Sequence, residues 1–364
     1  MNAFVERLQR QHLAAVQPYV SARRSASGGS VWLNANEAPA TPAAATQEQW
    51  FRYPDFQNTA LNQAYADYAG VTREQILSCR GSDEAIELLI RSFCEPGQDA
   101  VMITTPTYGM YAISAATHGA QVVDCPLQAA EDGSLQLATE AMITRCLDRT
   151  QAKVKLIFIC SPSNPLGNMV KTRALERLLD AVGNEALVIL DQAYIEFVDS
   201  NHPQFDSAAL LARYPQLVVL RTLSKAFGRA GLRCGFAIAA PEIIAVLSKV
   251  IAPYPLPAPT ISEATHGLSC EAIMVMQQQL QRIAEQRERL IAALQQRAWV
   301  KKIWPSTTNF VLVNVADAQS LVQRCQQQGV LIRDQSSQPG LPQCIRISIG
   351  SADDITRLLE VLPA

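Results

Sequence analysis

Arg221-Thr222-Leu223-Ser224-Lys225-Ala226-Phe227-Gly228-Arg229-Ala230-Gly231-Leu232-Arg233-Cys234-Gly235-Phe236 is the segment on which the reading of this 364-residue chain turns. It leaves the end of an apolar run, Leu217 to Arg221, in the position where ligand sites of α/β sheets gather. One lysine stands among hydroxyls and small apolar residues, with Arg233 eight positions later. Near apolar groups and other cations a lysine amine is partly deprotonated, the state that condenses with a carbonyl. Ser224 and Arg233 are suited to hold a phosphate. A serine–lysine pattern alone is more often an ordinary loop, and the glycines do not spell G-x-G-x-x-G, so a dinucleotide-binding turn is excluded. Lysine is scarce here. Of 31 basic residues only Lys153, Lys155, Lys171, Lys225, Lys249, Lys301 and Lys302 could supply an amine.

Outward from this segment, short apolar strands alternate with amphipathic helices. Val101 to Thr104, Gln121 to Cys125, Val154 to Cys160, Leu187 to Asp191, Leu217 to Arg221 and Leu232 to Ala239 read as strands. Ser82 to Phe93 and Thr172 to Val182 read as helices. Uninterrupted apolar strands separated by helices predict an α/β fold whose mostly parallel sheet is covered on both faces. The pattern changes at the proline-rich Pro253 to Pro259. A long charged helix from about Glu271 to Arg297 follows, then four short strands and a last helix opened by Ser351 with Asp354 three residues on, a capping box. We expect residues 31–258 to form a large domain and 259–364 a small α+β domain. Residues 1–30, with a helix from Phe4 to Val16, are expected as an arm packing with the small domain.

Composition narrows the class. Apolar residues make up 48% and charged residues 18%, which suits a large buried core and not disorder. The net charge of -2 shows no block of one sign, which disfavours nucleic acid or an anionic membrane as partner. No apolar run is long enough to span a bilayer, and Glu6, Arg7 and Arg10 interrupt any signal peptide. Nine cysteines with no C-x-x-C pair, and four scattered histidines, indicate neither a disulfide framework nor a metal site. A cytoplasmic protein is the expectation.

Other strand ends add chemistry. Val188-Ile189-Leu190-Asp191-Gln192-Ala193-Tyr194 places an acid at the end of an apolar strand. A buried aspartate there needs a cationic partner, such as a pyridinium nitrogen, or it takes up a proton; a helix cap is the plainer alternative. Tyr194 could donate to the phenolic oxygen of the same ring. Cys160-Ser161-Pro162-Ser163-Asn164-Pro165-Leu166-Gly167 is either a turn or a rigid frame for an amide donor, Asn164. Gly81-Ser82-Asp83 opens a helix whose free amides favour an anion, although an ordinary N-cap is equally consistent. In Pro106-Thr107-Tyr108-Gly109-Met110-Tyr111 the first tyrosine could lie flat on a planar ring or belong to the core. Together these residues answer the needs of pyridoxal 5'-phosphate.

With those residues in view, the chain resembles the fold-type I aminotransferases and, among them, the histidinol-phosphate aminotransferases. The resemblance covers nearly the whole chain, through Leu33-Asn34-Ala35-Asn36-Glu37, Arg52-Tyr53-Pro54-Asp55, Gly81 to Arg91, Pro106 to Tyr111, Ser161 to Gly167, Asp191 to Phe197, Arg221 to Phe236, Ala252 to Leu256 and Ile345 to Gly350. It implies Lys225 as the residue joined to the cofactor aldehyde and as proton shuttle. It also implies Asp191 at the ring nitrogen, Tyr194 and Asn164 at the ring hydroxyl, and Tyr108 stacked on the ring. Ser82, Asp83, Ser224 and Arg233, aided by Thr222, would form the phosphate cup. Arg346 would anchor the acidic end of substrates, with Arg333, Tyr19 and Asn36 nearby. Tyr53 would reach in from the partner subunit of a homodimer. The implied reaction moves an amino group between L-histidinol phosphate and 2-oxoglutarate. An aromatic aminotransferase or a threonine-phosphate decarboxylase is the nearest alternative, and a non-catalytic ligand-binding protein a more distant one; an α/β hydrolase lacks its G-x-S-x-G elbow. Two departures stand out: the family motifs Asn-Asn-Pro-Thr-Gly and Asp-Glu-Ala-Tyr appear as Ser163 to Gly167 and Asp191-Gln192-Ala193-Tyr194.

Overall fold

In a computed structural model, residues 3–18, 33–38, 50–131 and 133–363 are described. The strands in chain order are β1 (Ile76–Cys79), β2 (Asp99–Ile103), β3 (Gln121–Asp124), β4 (Gln128–Ala129), β5 (Leu135–Gln136), β6 (Lys153–Cys160), β7 (Leu187–Asp191), β8 (Leu217–Thr222), β9 (Gly235–Ala239), β10 (Val300–Ile303), β11 (Phe310–Val315), β12 (Arg333–Asp334) and β13 (Cys344–Ser348). Seven of them form one sheet in the order β1-β9-β8-β7-β6-β2-β3. β3, β2, β6, β7 and β8 run parallel, and β9 is antiparallel to both of its neighbours.

The apolar runs explain this sheet. Successive side chains of a strand point to opposite faces, so a strand covered on both sides must be apolar at every position. In β7, Val188 and Leu190 join one core while Leu187 and Ile189 join the other. β8 divides in the same way, Leu217 and Val219 against Val218 and Leu220. β9 begins later than the sequence suggests. Ala230–Leu232 is a turn of 3-10 helix and Arg233 adopts a left-handed backbone with φ 51°, so Leu232 precedes the strand.

The smaller sheet, β10-β11-β13-β12, sorts its two faces by chemistry. Val311, Val313, Ile345 and Ile347 pack with Leu290, Leu294, Leu321, Ile355 and Leu358 of the helices behind it. The opposite face carries Phe310, Leu312, Cys344 and Arg346, with Leu312 directly across from Arg346. The expected capping box is present at Ser351, with Asp354 closing it.

Three expectations differ from the observed packing. Of the arm expected over residues 1–30, the described residues 3–18 lie against the larger unit, Phe4, Val5 and Leu8 entering the core beside Leu89, Phe93 and Ile243, and the rest lies outside the described residues. Lys155 Nζ donates to Leu8 O at 2.8 Å and Lys249 Nζ to Leu13 O at 2.8 Å, tying both short helical turns to the larger unit. The single helix expected from Phe4 to Val16 is instead Ala3–Leu8 and a 3-10 turn, Gln11–Ala14. Between them Arg10 is extended, its amide donating to Ser92 O and its guanidinium paired with Glu95 at 3.1 Å. The unit boundary is also not at 258/259. Ala264, Leu268 and Met276 belong to the larger core, whereas Leu290 and Leu294 belong to the smaller one, so the continuous helix Cys270–Gln295 serves both.

Burial of Leu8 supplies a direct check on the docked segment. Leu8→Ala should cost about 2–5 kcal/mol of unfolding free energy in a urea titration, as for a buried leucine truncated to leave a cavity; an unchanged midpoint would show that this segment is not part of the core.

Candidate active site

β6, β7 and β8 are parallel neighbours; β6 and β7 end level, Cys160 pairing with Asp191, and β8, with Leu220 opposite Asp191, runs two residues further. Each chain continuation therefore delivers a polar residue to the same place: Asn164 beyond β6, Asp191 at the tip of β7, Ser224 and Lys225 beyond β8. They line one cavity of about 570 Å³, its open mouth included, together with Ser82, Asp83, Tyr108, Tyr194, Thr222 and Arg233. All ten residues expected at the cofactor line this cavity. Cys160, Ala193 and Ala230 line it as well and were not anticipated.

Asp191 is only 3% exposed. Tyr111 Oη donates to its Oδ2 at 2.7 Å and the Ala193 amide to its Oδ1 at 3.1 Å. Burial pushes its carboxyl up to about 6, and these two donors oppose the rise. Tyr111, fully buried, stacks on Phe158 of β6 with centroids 4.8 Å apart. The sequence assigns no role to Tyr111, which lies in the first turn of the helix Met110–His118 just after Tyr108.

Lys225 opens onto the cavity, its Nζ 5.6 Å from the centre of the Tyr194 ring. Burial lowers its pKa, and the Arg346 guanidinium lowers it further, while Asp83 and Asp191 pull the other way. A lysine in this setting supplies free amine more readily than one in water.

The opposite end of the cavity is built for an anion. The helix Gly81–Phe93 starts with no side-chain cap, leaving first-turn amides and the positive end of its dipole toward the space. Gly81 has φ +75°, and a Cβ there would lie 2.6 Å from Arg233 Nη2. A Cβ on Gly235 would lie 2.5 Å from the Ser82 amide nitrogen, so glycine lets β9 press against that first turn. Arg233 donates from Nη2 to Asp83 Oδ2 at 3.1 Å and from Nη1 to Ser224 Oγ at 3.3 Å. Thr222 Oγ1 donates to Ser224 Oγ at 2.9 Å, and Tyr108 Oη to Asp83 Oδ1 at 3.0 Å. An uncapped helix start under an arginine, a buried acid and an amine around one space fit pyridoxal 5'-phosphate: phosphate, ring nitrogen and aldehyde each meet a complementary group.

Of the expected substrate residues, Arg346 reaches the site, donating from Nη1 to Asn164 Oδ1 at 2.5 Å and lying 5.3 Å from the centre of the Phe310 ring. That bond leaves the Asn164 NH2 available as a donor. Arg333 is exposed on β12, in register with Arg346. Asn36 is exposed with φ 56°, and Tyr53 stacks on Tyr254 at 4.4 Å; neither lines the cavity. Glu37 joins their segments, accepting from the Tyr53 amide at 2.7 Å and from Arg52. Tyr19 lies outside the described residues. Among the described residues no helix is long and apolar enough to cross a membrane, and no group of side chains is arranged to hold a metal ion.

Comparison with known proteins agrees with this geometry. Residues 29–362 match the family model described as aminotransferase class I and II. The chain is 48% identical over 362 residues to the histidinol-phosphate aminotransferase 2 of Idiomarina loihiensis, covering 99% of this chain and 98% of that one. It is 45% identical over 361 residues to the histidinol-phosphate aminotransferase of Serratia proteamaculans, covering 99% and 96%. Among solved structures, the histidinol-phosphate aminotransferase from Clostridium acetobutylicum superposes with a TM-score of 0.75 at 25% identity, over 85% of this chain and 89% of that one. The enzyme of that name from Sinorhizobium meliloti, in complex with pyridoxal-5'-phosphate, shares the fold with a TM-score of 0.74 at 24% identity, over 86% and 82%.

The raised pKa of Asp191 has a measurable consequence. A carboxyl whose folded pKa lies above its unfolded value stabilises the fold in full below about pH 4 and loses that contribution as pH rises through about 6. At pH 8 the cofactor-free protein therefore bears an ionised buried acid, and Asp191→Asn should be more stable than the parent by roughly 2–3 kcal/mol in urea unfolding. The gap should close toward pH 4, and equal stabilities at pH 8 would contradict the assignment.

Proposed function

The chain belongs to the class I and II aminotransferase family, and from that premise we propose that it transfers the amino group between L-histidinol phosphate and 2-oxoglutarate, yielding imidazole-acetol phosphate and glutamate, a step of histidine biosynthesis. The observation that carries this reading is the convergence of Lys225, Asp191, Asn164 and the uncapped helix start on one cavity, with Arg346 joined to Asn164 at its edge. Relatives bearing that enzyme name at 48% and 45% identity over nearly the full chain support the choice of substrate.

When bound, pyridoxal 5'-phosphate supplies an aldehyde that condenses with amines and a protonated ring that takes up electrons from the substrate's Cα. The Lys225 amine would hold the aldehyde. Its Nζ would also take and return the substrate's Cα proton, a task that its lowered pKa favours. Asp191 would keep a proton on the ring nitrogen, helped by Tyr111 and the Ala193 amide, which favour its ionised form. Asn164 and Tyr194 would donate to the ring hydroxyl, and Tyr108 would cover the ring. The Ser82 and Asp83 amides, Ser224, Thr222 and Arg233 would receive the phosphate.

Arg346 grips the anionic end of either substrate. Its planar fork binds a carboxylate or a phosphate through two parallel hydrogen bonds, which allows one residue to serve both half-reactions. Tyr19, Asn36 and Arg333 would line the substrate's path. The working form would be a homodimer, with Tyr53 completing the partner's site; in support, Tyr53 is half exposed and outside its own chain's cavity. A reducing, cytoplasmic setting accords with nine free thiols, eight of them buried.

Two substitutions test the assignment. Lys225→Ala should abolish transamination and the visible absorbance that borohydride removes; turnover in that variant refutes it. Arg346→Ala should lower kcat/KM about 100-fold or more for both glutamate and L-histidinol phosphate, as expected for losing a charged bidentate contact of about 3 kcal/mol. A loss confined to one substrate would assign the two anions to separate anchors.

A further inference from the structure

The loop that brings Asn164 to the cavity buries Leu166 completely two residues later. The seat that receives it is walled mainly by the smaller unit: Trp304, Leu312, Leu341 and Cys344 close around it, with Leu127 and Leu135 of the larger unit also packed against the cluster. Leu312 is the register partner of Arg346, and Cys344 precedes Arg346 by two positions on the same strand. The wall of the seat and the anion-binding guanidinium therefore share one face of a short sheet. Further bonds fasten the same loop. The Thr307 amide and hydroxyl donate to Gly167 O at 3.0 and 3.2 Å, and Gly167, with φ +87°, lies so close to Ser306 that no Cβ would fit. The aminotransferase motif has threonine where this chain has Leu166, and the smaller threonine side chain would leave part of this seat unfilled.

We propose that Leu166 is a positioning residue: by filling this seat it locks the cofactor-facing loop to the strand that carries Arg346, and so fixes the distance at which the substrate's anionic end is held. The proposal rests on the reading of Arg346 as the anion anchor. Arg346 has two supports in the site: the Phe310 ring belongs to the adjoining strand of its own sheet, whereas the bond to Asn164 depends on the loop and the strand keeping their relative position. With the seat emptied, the guanidinium keeps its charge and loses its fixed distance from the reacting carbon. Substrates then suffer in proportion to what their anionic group contributes, and the lysine chemistry is left intact.

The test uses the holoenzyme and three variants: Leu166→Thr, Leu341→Ala, which opens the seat from the opposite side, and Leu166→Met, which refills it. The amino-donor half-reaction is followed by loss of visible absorbance with L-histidinol phosphate and with L-histidinol, which lacks the phosphate. In the first two variants the apparent Kd for the phosphate ester should rise about tenfold with its maximal rate within about twofold, L-histidinol should react as with the parent, and Leu166→Met should behave as the parent. Equal losses on both donors, or none on either, would overturn the proposal. Amide hydrogen exchange of peptides covering 161–168 and 344–348 gives a second, substrate-free reading. It should accelerate in Leu166→Thr and Leu341→Ala and not in Leu166→Met; unchanged exchange overturns the lock whatever the substrate. A parent enzyme that does not react with L-histidinol phosphate would instead overturn the functional reading, and the exchange result would still decide the lock.

Discussion

The hydrogen bond from Tyr111 to Asp191 is the interaction on which the rest of the site depends. Asp191 ends the central strand of a sheet covered on both faces, so its carboxylate emerges where water is nearly absent. Left alone there it would hold a proton at neutral pH, and a protonated acid cannot pair with a cationic ring nitrogen. The phenol at 2.7 Å and the Ala193 amide favour the charged form. Tyr111 is itself held by stacking on Phe158, a residue of the adjacent strand. Packing of the sheet, orientation of a phenol and ionisation of the acid thus form one causal series.

A second buried charge is handled differently. Arg221 is 1% exposed and donates to Gln192 Oε1, Phe205 O and Ser207 Oγ, all of them neutral. Gln192 stands where the family motif has an acid; it keeps the acceptor geometry and surrenders the charge. Gln192 Nε2 donates onward to Gln204 O, and the Gln204 side chain bonds Ser161 and Val170, so the arginine is tied to the base of the Asn164 loop. Glu196 is the carboxylate that senses Arg221. Its two oxygens have no hydrogen-bond partner among the described residues, and burial pushes its carboxyl up to about 7 against the pull of that arginine. Neutral dipoles, more than a direct ion pair, therefore carry the cost of burying Arg221.

The sheet and most of the cofactor site were legible in the sequence because both rest on local signals. Apolar runs without alternation mark strands covered on two faces, and the polar residues that follow them must lie at the strand ends, where Asn164, Asp191 and Lys225 are found. What escaped depends on distant parts of the chain. Tyr111 looks like any core aromatic until β7 places Asp191 above it. The N-terminal turns carry an amphipathic pattern that suits either unit, and the choice is made by Lys155 and Lys249, more than 140 positions away, reaching Leu8 and Leu13. Leu166 reads as a turn residue, since its burial is decided by a strand and a tryptophan of the other unit. Asn36 and Tyr53, expected near substrate, lie away from the cavity of a single chain, and no feature of one sequence fixes what a second copy adds.

The shared helix Cys270–Gln295 sets the mechanics of the whole molecule. Its first turns are rooted in the larger core and its last in the smaller one, with no flexible hinge between. Rocking of the smaller sheet must be accommodated as bending or twisting of a stiff rod. The two halves thus behave as a shaft and its flywheel more than as beads on a string, and cutting the chain between them would strip apolar surface from both.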